Sequence, residues 1–167
     1  SSLGMFNEQG SLANGRVFWG QALAEAQDYS AVGFVAKKRD WFCGGHVSQA
    51  CDVVSRIAAT FSSVVAYGSS MGAYAALRWG RAAGAGVAVA FAPQHSIDPQ
   101  TTSFDTRYHF AFRPEIHRGM ELAGRDLPNI SFVFADPFTK VDWEHAERIA
   151  RASPAVRLIP VRFCGHE

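Results

Sequence analysis

The stretch from Phe61 to Gly80, FSSVVAYGSSMGAYAALRWG, passes from a short β-branched and aromatic run, through the pentad Gly68-Ser69-Ser70-Met71-Gly72, into an Ala-rich helical pattern. Apolar Val64, Val65 and Tyr67 precede the pentad, and Ala73, Ala75, Ala76 and Leu77 follow it. A serine at such a strand-to-helix turn is held at strained backbone angles, and glycines two residues before and after it let strand and helix pass closely. Its hydroxyl then stands clear of the sheet, beside the unpaired amides and positive dipole end of the helix, where an oxyanion would form. Ser70 is therefore the candidate nucleophile. The competing reading is a plain turn in which Ser69 or Ser70 caps the helix. A phosphate-binding loop does not fit, because no Gly-Lys-Ser/Thr follows the glycines.

Working outward, apolar runs recur with helical patterns between them. Strands are predicted at Gly4 to Asn7, Ala31 to Ala36, Ser63 to Tyr67, Val87 to Phe91, Ile130 to Ala135 and Val156 to Val161. Helices are predicted at Val17 to Gln27, Val47 to Thr60, Met71 to Ala83 and Asp142 to Ala152. This alternation predicts an α/β chain with a mainly parallel sheet of about six strands and helices on both faces. No repeat or linker supports a second domain, so residues 1–167 read as one domain. Ala92 to Asn129, interrupted by Pro93, Pro99, Pro114 and Pro128, is longer than an ordinary connection and reads as a lid-like insertion.

Composition narrows the function classes. A hydrophobic content of 48%, with 13% aromatic residues, suffices for a buried core. Sixteen basic against fifteen acidic side chains leave a net charge of +1. With no dense Lys/Arg run, neither nucleic acid nor an anionic membrane surface is the expected partner; a neutral or small substrate is. No apolar stretch approaches a membrane span, and the first residues lack the pattern of a secretory signal. The three cysteines, Cys43, Cys51 and Cys164, follow no disulfide framework, and the expected location is the cytoplasm.

A nucleophilic serine needs a base, and ligands of open α/β sheets sit at the carboxyl ends of the strands. His166, in Cys164-Gly165-His166-Glu167 directly after the last predicted strand, is the candidate. The acid that orients it is Asp136 or Asp142, both within FVFADPFTKVDWEHAERI. Asp136 is preferred, because an orienting acid usually lies immediately past its strand, while Asp142 reads equally as a helix N-cap. Gln94 and His95, in FAPQHSIDP, are candidates to line a substrate pocket. His145 reads as a solvated first-turn residue, and His109, His117, Arg107 and Arg113 as a solvated face of the insertion. Tyr74 and Trp79 read as packing. Cys43, His46 and Cys51 do not match the paired spacings of structural zinc, so no metal is expected.

The order of strand, serine elbow, strand, insertion, strand with Asp, helix, strand and Gly-His resembles the α/β-hydrolase superfamily across essentially the whole chain. The stretches GRVFWGQALAEAQDYSAVGFVAKKRDWF, YGSSMGAYAALRWG, FAPQHSIDP and FADPFTKVD are similar to a group of small bacterial α/β-hydrolase proteins, some associated with cell-surface polysaccharide biosynthesis. The resemblance implies a three-layer sandwich built from the superfamily's third strand onward. It implies an oxyanion hole from the Met71 amide and a second amide near Asn7 or Glu8. It implies a serine hydrolase acting on an ester or thioester without a cofactor, or an acyltransferase using the same residues on a saccharide, the substrates being acyl esters, thioesters or acylated saccharides. A catalytically silent binding module of the same fold is the remaining alternative. The chain departs from the superfamily's usual spacing at the acid, which would fall near Phe138.

Overall fold

The structure, a computed structural model, describes the backbone of residues 2–8, and residues 18 and 20–166 with their side chains. Strands β1 (Ser2–Glu8), β2 (Ser30–Ala36), β3 (Val64–Ser69), β4 (Val87–Phe91), β5 (Ile130–Ala135) and β6 (Val156–Pro160) pair in the order β2-β1-β3-β4-β5-β6. Every neighbouring pair is parallel. Parallel strands need crossovers, and the helices α1 (Gln21–Ala26), α2 (His46–Ala58), α3 (Met71–Trp79), α4 (Pro114–His117) and α5 (Lys140–Ala152) lie along these connections. Because β1 has β2 on one side and β3 on the other, the winding reverses there, and the carboxyl ends at such a reversal are where ligands of open α/β sheets sit.

The sheet packs tightly where its side chains are small. Ala66, Ala88, Ala90, Val133 and Ala135 are buried on the face toward α3. A Cβ on Gly80 would meet that of Ala66 at 2.9 Å, so helix and sheet pass at close range. Residues Met71 to Leu77 are all buried, which is why this helix is Ala-rich rather than amphipathic. Tyr74 and Trp79 pack as expected and satisfy their polar ends, Tyr74 donating to the Met120 carbonyl at 2.7 Å and Trp79 to that of Phe42 at 2.9 Å. On the opposite face Tyr67, Phe91 and Phe134 form a partly exposed aromatic row, with Phe91 and Phe134 stacked at 4.8 Å.

Helix boundaries differ from the periodicity at informative places. The first helix starts at Gln21 behind Gly20, whose φ of 82° is left-handed; Val17 lies outside the described residues. The last helix starts at Lys140 rather than Asp142, with Thr139 at the N-cap position, so Asp142 is inside the first turn and points into the protein at 1% exposure. The insertion contributes to the core. Its Ile97, Met120, Leu122 and Leu127 are core residues, and Asp126 forms an ion pair with Arg78 of α3.

Candidate active site

Strand β3 ends and α3 begins with no spare residue between them except Ser70, which sits at φ 51° and ψ −120°. Such angles are strained for a side chain larger than glycine and mark a site that its surroundings hold in place. Gly68 is required by contact: a Cβ there would lie 2.2 Å from the Gly72 carbonyl oxygen. The Ser70 amide is anchored across the sheet to the Phe91 carbonyl at 2.8 Å, while its own carbonyl accepts from Ala73 and Tyr74 and starts the helix. Met71 is the first helical residue, where an amide has no acceptor within the helix. Asn7 pairs with Val35 near the end of β1; the residues 9–17 that follow lie outside the described residues.

Ser70 Oγ lies 2.9 Å from His166 Nε2. The imidazole is carried back over β3 by the turn at Gly165, whose φ of 64° suits glycine. His166 Nδ1 lies 2.9 Å from Asp142 Oδ2. An ionised carboxylate only accepts, so Nδ1 carries the proton and Nε2 presents its lone pair to the serine hydroxyl. The carboxylate on the imidazole is thus Asp142, and the preference for Asp136 is corrected. Asp136 Oδ1 accepts from the Phe138 amide and Oδ2 from the Gly165 amide, both at 2.9 Å, so Asp136 joins the loop after β5 to the histidine loop. These amide hydrogen bonds hold its carboxyl below the usual range.

The insertion supplies groups that spacing along the chain did not reveal. Arg107 Nη2 donates to Asp142 Oδ1 at 2.6 Å and to Asp105 Oδ2 at 2.8 Å, and its Nε donates to Asp105 Oδ1 at 2.9 Å. Asp105 also accepts from His145 Nε2 at 3.0 Å, while the His95 amide donates to His145 Nδ1 at 3.1 Å. His145 is therefore a fully buried link rather than a solvated residue, and Arg107 a charge clamp rather than part of a solvated face. Burial raises the Asp142 carboxyl, but hydrogen bonds from His166 and Arg107 outweigh it and leave the group below its ordinary value. Asp105 follows the same logic more strongly, burial being outweighed by His145 and Arg107.

Tyr108 brings its hydroxyl to 3.0 Å from the same His166 nitrogen, its ring edge-on to Trp41 and beneath the Arg107 guanidinium. Gln94 is buried, and its amide orientation follows from Trp41, whose indole N–H can only donate and does so to Oε1 at 2.9 Å. Nε2 therefore faces the Ala92 carbonyl at 3.1 Å and Ser70 Oγ at 3.4 Å. His95 stands farther back. Its Nδ1 is buried with no partner among the described residues, and burial pushes the imidazole down to about 4. A pocket of about 280 Å³, lined by Tyr67, Phe91, Phe134 and His166 among others, opens beside the histidine loop. Phe138 and Phe163, on the loops after β5 and β6, stack at 4.7 Å while remaining 61% and 81% exposed. Among the described residues no three His, Cys, Asp or Glu side chains gather as metal ligands, Cys43, His46 and Cys51 included.

The arrangement can pass a proton from Ser70 to an imidazole whose positive form faces a buried carboxylate. The fold of the chain is similar to those of several solved proteins. A thermophilic esterase from the Planctomycetes species Thermogutta terrifontis, with butyrate bound, superposes at a TM-score of 0.57 and 17% identity, covering 99% of this chain and 73% of that one. A thermophilic and thermostable carboxylesterase cloned from a metagenomic library superposes at 0.63 and 12% identity, covering 99% and 70%. A protein from Xanthomonas campestris pv. campestris, classed with the hydrolases of the alpha/beta superfamily, superposes at 0.51 and 16% identity, covering 99% and 86%. The chain has an α/β-hydrolase-like fold. No family model matches the sequence. A stretch of 61 residues is 36% identical to the large ribosomal subunit protein uL4 of Methylococcus capsulatus, covering 36% of this chain and 30% of that protein. That stretch spans too little of either chain to bear on the fold or the site.

Proposed function

We propose that the protein is a serine hydrolase that cleaves a carboxylic ester or thioester through an acyl-enzyme on Ser70. The observation that carries this reading is the hydrogen-bonded sequence Ser70, His166, Asp142, set on a strained turn at the head of a helix. In the first half-reaction Ser70 Oγ attacks the acyl carbon as Nε2 takes its proton. The tetrahedral oxyanion is held by the Met71 amide with a second amide near Asn7, and the imidazolium by Asp142. Nε2 then returns the proton to the leaving oxygen or sulfur, and the acyl group remains on Ser70. Water repeats the sequence in reverse, releasing the acid. Gln94, with an N–H directed at Ser70 Oγ, steadies the serine oxygen, and no cofactor enters the scheme.

Transfer to a saccharide hydroxyl in place of water uses the same intermediate. Among the described residues no helix is long and apolar enough to cross a membrane; a cytoplasmic location is part of this proposal, in keeping with three cysteines that follow no disulfide framework. The decisive experiment is labelling with a fluorophosphonate probe, followed by a screen of acyl esters and thioesters with and without sugar acceptors. Labelling of wild type and not of Ser70→Ala supports the reading, and an unlabelled wild type with no ester or thioester turnover rejects it.

A further inference from the structure

We propose that Arg107 is a positioning residue of the active centre, which clamps Asp142 so that one carboxylate oxygen is committed to His166. The inference rests on the reading of Ser70, His166 and Asp142 as the catalytic set and adds to it a group from outside that set. Asp142 is 1% exposed and has each oxygen engaged once, Oδ1 by Arg107 and Oδ2 by His166. Without the guanidinium, a buried carboxylate would be left with an oxygen unpaired. It would then turn to find a partner or take up a proton, and either change removes the geometry that holds the imidazole.

Arg107 is itself fixed. Its fork grips both oxygens of Asp105, its backbone amide bonds to Asp105 Oδ1 at 3.0 Å, and Asp105 is braced from behind by His145. Two carboxylates and one guanidinium leave a net negative charge, and Asp142 Oδ2 delivers it to the ring that becomes positive during catalysis. Tyr108 beneath the guanidinium completes the group's surroundings. Since the assigned Arg107 hydrogen bonds run to the two acids and none to Ser70, its loss should act on the chemical step rather than on substrate affinity.

The test compares Arg107→Gln, Arg107→Lys and Arg107→Gly with wild type, on p-nitrophenyl butyrate and on the fluorophosphonate. An additional readout is the downfield proton NMR signal of the imidazole Nδ1–H, assigned with His166→Ala. The glutamine variant should lose kcat on the order of 10²-fold with KM within about twofold, as expected for a misplaced catalytic group. Its imidazole signal should broaden or vanish. Lysine, which keeps the charge without the fork, should recover part of the loss, and millimolar guanidinium should restore the glycine variant by about tenfold or more. Equal kcat and an unchanged imidazole signal in Arg107→Gln would overturn the clamp, as would a raised KM with kcat intact. If Arg107→Gln does not fold, the lysine variant decides: full activity overturns the clamp and partial activity supports it. A wild type that neither labels nor turns over rejects the catalytic reading itself. The imidazole signal distinguishes that failure from failure of the clamp, because it reports Asp142 geometry without any turnover.

Discussion

At the residue scale, the two acids after β5 separate cleanly. Asp142→Asn keeps the shape of the side chain but removes the charge facing His166, and kcat should fall on the order of 10⁴-fold with the fold retained. Asp136→Asn replaces an acceptor of two loop amides with a weaker one; it should lower thermal stability while leaving the pH-rate profile unchanged in shape. Steady-state kinetics and melting curves on the pair check both, and a large kinetic loss confined to Asp136→Asn would return the orienting role to that residue. Ser70→Ala should abolish probe labelling and lower turnover about 10⁴- to 10⁶-fold. The places of Ser70 and His166 in the chain are legible because they are local, flanking glycines marking one and a glycine turn after a strand the other, and the structure brings the two side chains together. The acid was not legible in the same way. Asp136 is captured by an amide 29 residues away and Arg107 reaches Asp142 across 35, and neither contact leaves a periodic trace in the sequence.

At the scale of elements, the elbow depends on contact between two backbones. Gly68→Ala drives a methyl group into the Gly72 carbonyl, so β3 and α3 must part. The expected result is loss of labelling together with lower stability, measured by probe and by chemical denaturation. The strands and the helix after Ser70 were readable from apolar runs, but the start of α5 was misread by two residues, and that slip is what made Asp142 look like a cap. The insertion is a case apart, because its core contacts leave no periodic pattern. Its prolines and polar residues suggest a lid, and Ile97, Met120, Leu122 and Leu127 fasten it to the core. Trypsin should therefore leave the bond after Arg107 intact in wild type and cut it readily in Asp105→Asn, where the guanidinium loses its bidentate partner.

For the whole molecule, acid should act in two stages. His95, held neutral down to about 4 against an ordinary 6.5, binds its proton more readily in the unfolded chain. Its contribution is complete above 6.5 and drains as the pH falls from there to about 4. Asp105 and Asp142 are held below 3.8, so theirs is complete above that value and is lost only beneath it. Melting temperatures from neutral pH to pH 3 should show both stages, and His95→Gln should shrink the first without touching the second, His117, which burial also lowers, supplying the remainder of the first. The sheet order carries a consequence for how the chain acquires its chemistry. Every strand pairs in parallel, so each pairing must wait for a crossover to form, and the contact order is high. Residues 70, 107, 142 and 166 sit on separate stretches of that path and meet only when the last strand docks. During refolding from denaturant, competence for the probe should consequently lag behind the recovery of helical ellipticity, making Ser70 a clock for the final step of assembly.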